Sequence, residues 1–160
     1  MLRVWDQFRA IREALAQLDT PFAIATDRDP RKGKTALGEV RATKLEALFK
    51  RLGLASNRGR VFVGAQTLEP DLVAAGWHAE VAQSLKELST TAKHIEFASQ
   101  VQKKQTLDDT EARLLLRAIE KIGKGRFAQR LAAVVSSTAN ALPPGPKYII
   151  DAIESIRTAT

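Results

Sequence analysis

Cysteine is absent from the 160 residues, which removes disulfides, thiolate nucleophiles and cysteine-ligated zinc from consideration. Histidine is nearly absent: His78 and His94 are the only two, and they form no paired metal-ligand spacing. His78 reads as a partly exposed helix residue. Ser136 and Ser137 have no base near them and fall in a helical stretch, so a Ser-His-Asp mechanism has no support. No apolar run approaches the roughly 18 residues that span a bilayer. Met1 to Thr20 lacks the basic start, apolar stretch and small-residue cleavage site of a secretory signal, so a cytoplasmic protein with no membrane partner is expected. What is present is ordinary for a folded chain: 44% hydrophobic and 27% charged residues argue against wholesale disorder.

The net charge of +7 is unevenly placed. Residues 27–60 hold ten basic and four acidic side chains, residues 61–99 two and five, and residues 100–130 eight and four. The two ends balance. Two basic segments flanking an acidic one suit a polyanion held against a carboxylate site, although solvated helix faces give the same counts.

Val4, Trp5, Phe8, Ile11, Leu15 and Leu18 recur at helical spacing, and Asp19-Thr20-Pro21 ends that helix. Phe22 to Thr26 reads as a buried parallel strand. Arg28 to Thr35 reads as a basic, glycine-containing surface loop. A helix is expected over roughly 38–52, burying Val40, Leu45, Leu48, Phe49 and Leu52, with Gly53 just past its end. Arg60 to Gly64 reads as a second strand, apolar on both faces like an interior parallel strand. From Pro70 onward the pattern is helical; Trp5, in the first helix, and Trp77 lie on apolar faces. Helices are expected over 92–103, 109–122, 126–141 and 147–157, the last two separated by Pro143-Pro144-Gly145-Pro146. A two-stranded parallel sheet is a poor core by itself, so the α/β part looks like the back half of something larger.

Three pieces carry chemistry. Asp27 and Asp29, in Thr26-Asp27-Arg28-Asp29-Pro30, follow the first strand at the edge where open α/β sheets bind ligands. Paired carboxylates there suit a hard divalent cation, while an Asx turn into Pro30 explains the same residues without one. An aspartyl-phosphate enzyme of the haloacid dehalogenase type places Thr or Val where Arg31 stands, so that reading is set aside. Glu69, in Thr67-Leu68-Glu69-Pro70, reads as a carboxylate at the second strand's end, with Thr67 available to cap the next helix. Lys121-Ile122-Gly123-Lys124-Gly125-Arg126 opens a helix with cationic groups and free N–H donors, which suits a phosphate. It is not a Walker A motif, and no ATP site is expected in the chain.

In this order, the three pieces resemble the C-terminal region of the OLD-family (overcoming lysogenization defect) ATP-dependent endonucleases. The run from Lys124 to Ala132 and the closing Pro143 to Ile153 fit the same region. The resemblance implies an α/β fold: an incomplete Toprim-like parallel sheet with flanking helices over 1–70, followed by an all-helical appendage over 71–160. It implies hydrolysis of DNA phosphodiester bonds at a two-metal Mg²⁺ or Mn²⁺ site, with Asp27 and Asp29 as metal ligands. Glu69 would be a ligand or a support for one, and also takes part in catalysis. Lys124 would offset charge at the scissile phosphate. Arg28, Arg31, Lys32, Lys34, Lys121 and Arg126 would hold the DNA backbone. Toprim folds begin with a strand ending in glutamate, which Glu13, in mid-helix, does not match, and an ABC-type ATPase domain precedes the nuclease in full-length members. Little or no cutting by the chain alone is therefore expected, with an ATPase domain or chain as partner and a homodimer as a further option. The alternative is a non-catalytic DNA-binding or regulatory fragment that uses its basic segments.

Overall fold

A computed structural model of the chain describes residues 21–54, 59–138 and 143–159. The first helix expected from the sequence, with Trp5, lies outside them. In chain order the elements are β1 (Phe22–Thr26), α1 (Leu37–Arg51), β2 (Gly59–Val63), α2 (Leu68–Leu72), a π-helical turn (Val73–Trp77), α3 (His78–Leu88), α4 (Ala92–Val101), α5 (Asp109–Ile122), α6 (Lys124–Ser137) and α7 (Lys147–Arg157). No helix among the described residues is long and apolar enough to cross a membrane.

The chain divides into two compact units, one of Met1–Gly64 with Tyr148–Thr160 and one of Ala65–Lys147. The sequence placed the division at residue 70 and kept 71–160 together. In the structure the first unit ends at Gly64, where β2 has finished, and most of α7 belongs with the strands.

The first unit is a parallel pair with flanking helix, the α/β arrangement expected. Phe22 lies opposite Gly59 and Thr26 opposite Val63. Helix α1 packs on β2 and buries Ala42, Leu45 and Phe49. Val40 and Leu48 are only half-buried and Leu52 is exposed, because a two-stranded sheet covers a narrower stripe of helix than a wide one. Phe22 and Phe49 meet edge to face with centroids 5.3 Å apart. Gly59 admits this pair: a Cβ there would stand 2.9 Å from the Phe22 ring. The expectation of buried, interior strands fails. No residue of β1 or β2 is fully buried, and Ala25 and Arg60 are exposed, since each strand has one hydrogen-bonded neighbour among the described residues.

The second unit holds the dry core. Val73, Val81, Ala82, Leu85, Ala98, Val101, Leu115 and Ile119 are wholly excluded from solvent. Helix α3 is central, packing on α4, α5 and α6. Trp77 packs against this core as expected, while its indole N–H donates to the Pro144 carbonyl at 2.8 Å. Gly76, at φ 103°, kinks the chain inside the π-helical turn, just before α3. The start of α5 is fixed by a capping box: Asp108 Oδ1 accepts from the Thr110 and Glu111 amides at 2.8 and 2.9 Å, and Glu111 Oε2 accepts from the Asp108 amide at 3.1 Å. Hydrogen bonds to those amides hold the Asp108 carboxyl below the usual range. Glu87 on α3 accepts from Gln83 and pairs with Arg130 of α6, and its carboxyl is lowered, chiefly by the Gln83 bond. Helix α6 begins at Lys124, two residues before the expected start, because Gly123 alone separates it from α5.

Candidate functional site

Strand β1 runs directly into Asp27 and Asp29, and α1 then fixes the backbone that carries them. The amides of Leu37 and Gly38, donors left over at the helix start, bond to the carbonyls of Asp29 and Arg28 at 3.2 and 2.7 Å. No side chain caps α1; the carboxylate-bearing loop caps it instead. This docking requires a glycine at 38, since a Cβ there would lie 2.1 Å from the Asp27 carbonyl oxygen. Asp29 sits at φ 49°, the left-handed region that Asp and Asn enter more readily than most residues.

Both carboxylates are half-buried and both are engaged. The Tyr148 hydroxyl donates to Asp27 Oδ1 at 3.4 Å. Arg41 Nη2 donates to Asp29 Oδ2 at 2.5 Å and to the Asp27 carbonyl at 2.9 Å. One guanidinium nitrogen of α1 thus ties the two aspartates together. Around them, the Arg28 Nε pairs with Glu39 Oε1 at 2.9 Å. Arg31 donates to the Thr35 carbonyl through Nε and Nη2, at 3.2 and 2.8 Å. Arg28, Arg31, Lys32 and Lys34 are all exposed.

The other expected residues lie in the second unit. Glu69 is not at a strand end. Strand β2 stops at Val63, the chain turns through Gly64–Thr67, and Glu69 falls half-buried in the first turn of α2. Thr67 occupies the N-cap position with no side-chain cap, and its Oγ1 is buried without a hydrogen bond. Asp71 organises this turn: its buried carboxylate accepts from the Gln66 amide at 3.1 and 3.2 Å. Lys124 is the exposed first residue of α6, with Lys121 and Arg126 exposed on either side. The first turn of α6 carries no acid, so it presents cations at a helix end that favours anions. His78 is half-buried at the start of α3.

The donors at the end of β1 suit a divalent cation in kind, being carboxylate oxygens. They are few. No cluster of three or more His, Asp or Glu residues occurs among the described residues. One or two carboxylates completed by water and substrate phosphate is nevertheless a common Mg²⁺ environment, so the residues present fit the ion.

Solved structures that resemble the chain include two C-terminal regions of OLD proteins. The C-terminal region of the Burkholderia pseudomallei OLD protein is 33% identical to it, with a TM-score of 0.61, over 86% of this chain and 69% of that one. The C-terminal region of the Xanthomonas campestris pv. campestris OLD protein is 30% identical, with a TM-score of 0.60, over 95% and 76%. The chain belongs to the OLD family, in its C-terminal region. No protein-family model and no curated protein matches it. The OLD resemblance in the motifs is therefore borne out by sequence identity across most of the chain. Arg41, which links the two aspartates of this OLD region, escaped the sequence reading. It lies one α-helical turn beyond the glycine that docks α1, among ten basic residues of the same segment, and nothing in its spacing marks it.

Proposed function

We propose that the chain is the nuclease module of an OLD protein, hydrolysing DNA phosphodiester bonds with Mg²⁺ or Mn²⁺. Membership of the OLD family supports a nuclease-type module. The observation that supports the cation is the end of β1, where the first amides of α1 hold Asp27-Arg28-Asp29 in a fixed shape. Asp27 and Asp29 hold the ion in this reading, and Glu69 adds or supports a ligand. A bound divalent ion supplies charge neutralisation of the phosphodiester and an activated water. Tyr148 orients the Asp27 carboxylate by hydrogen bonding. Lys124, leading a helix start that favours anions, offsets negative charge on the phosphate. Arg28, Arg31, Lys32, Lys34, Lys121 and Arg126 steer and hold the DNA backbone. An ATPase domain or chain is the partner, and cutting by this chain alone is weak.

The test is Mn²⁺ titration calorimetry on the chain beside Asp27→Asn/Asp29→Asn, followed by plasmid nicking. Loss of about 100-fold or more in Mn²⁺ affinity is expected on removing both charges. Equal binding by the double variant excludes these ligands. The non-catalytic DNA-binding reading draws on the four exposed cations of residues 28–34. It requires DNA affinity that falls steeply with salt and ignores chelator.

A further inference from the structure

The clasp on Asp29 has features of a placeholder. Arg41 reaches both Asp29 Oδ2 and the Asp27 carbonyl with the same nitrogen, Nη2. Its Nε is buried without a hydrogen bond. The contact therefore forgoes the two-pronged geometry that makes arginine–carboxylate pairs strong. The two side chains are about a third exposed, 32% and 33%, so solvent screens the pair and its net worth is small. A guanidinium and a divalent cation want the same oxygen, and their like charges oppose simultaneous occupancy.

We infer that Arg41 is an internal counter-ion that occupies the Asp29 carboxylate until a divalent cation displaces it. The inference rests on the cation reading above and adds a built-in competitor that sets the affinity of the site. While the carboxylate is unliganded, Arg41 relieves repulsion between two aspartates fixed on one short loop and keeps that loop in the shape an ion meets. On binding, the Arg41–Asp29 hydrogen bond breaks and the guanidinium is released to solvent. No covalent bond changes.

A purely structural arginine and a competing one give opposite results. Calorimetry with Mn²⁺ on the full chain compares wild type, Arg41→Gln and Arg41→Lys. The Gln variant is expected to bind Mn²⁺ about tenfold more tightly, while its unfolding temperature without metal falls and its Mn²⁺-induced rise grows. The Lys variant, which keeps the charge, is expected within about twofold of wild type. Equal or weaker binding by a folded Gln variant overturns the competition while leaving the metal site standing. Absence of Mn²⁺ binding in all three chains overturns both. If the Gln variant fails to fold, nitrogen NMR of the wild-type Arg41 side chain during a Mg²⁺ titration decides: its signal is expected to move with the saturation curve of the Asp29 carboxyl. A stationary signal overturns the inference.

Discussion

The two units solve the folding problem with different materials. In the helical unit, eight core side chains are wholly excluded from water, and the start of α5 is closed by the Asp108 side chain. In the α/β unit no strand residue is fully buried. The start of its long helix is closed by loop carbonyls, and its charged groups satisfy one another at the strand end. Removing apolar area from water contributes about 25 cal/mol per Å², so among the described residues the helical unit has the larger hydrophobic term. The α/β unit depends more on backbone fit and charge balance. The aspartates are found in that second environment, held by loop and side-chain hydrogen bonds more than by apolar burial.

Several measurements break or sharpen this contrast. Leu115→Ala or Ile119→Ala empties space in the dry core and is expected to cost about 2–5 kcal/mol, against about 1 kcal/mol for Val61→Ala on the half-buried β2. Urea titrations with hydrogen-exchange readout on α5 and α1 check this. Comparable losses at the two sites would remove the distinction. Gly38→Ala drives a methyl into the Asp27 carbonyl. It is expected to cost about 1–3 kcal/mol, with exchange quickening in α1 and unchanged in α5. The smallest effect is electrostatic. Amide hydrogen bonds hold the Asp108 carboxyl below its unfolded value, so its stabilisation is full above an unfolded pKa of about 3.9. It is lost as pH falls through the lower folded value. Asp108→Asn keeps a capping oxygen but has no proton to gain. Its unfolding free energy is expected to fall less steeply between neutral and acid pH than that of the native chain, and parallel slopes would exclude the capping contribution.

Much of the architecture was legible because it follows from periodicity and punctuation. Strand β1 and helices α5 and α7 match their expected bounds, since each is framed by Pro, Gly or an acidic cap and has a clear apolar rhythm. The early start of α6 was hidden because Lys124-Gly125 reads as a turn, while a single glycine in fact makes it. Glu69 was misplaced because the turn after β2 is organised by Asp71, four residues past Thr67, whose bond to the Gln66 amide no spacing marks. Asp27 and Asp29 were legible as a strand-end pair. Their ties to Arg41 and Tyr148 were not, because those are long-range contacts that no local pattern encodes.

Gly123, at φ 99°, joins two helices of 14 residues each with nothing between them. Lys124 is therefore mounted on an elbow and not on a tether. A cation on a flexible loop gives up backbone freedom, roughly 1–2 kcal/mol per residue ordered, when an anion arrives. At Lys124 the backbone is already set by the helices on either side, and only the rotamers of one side chain remain to be frozen.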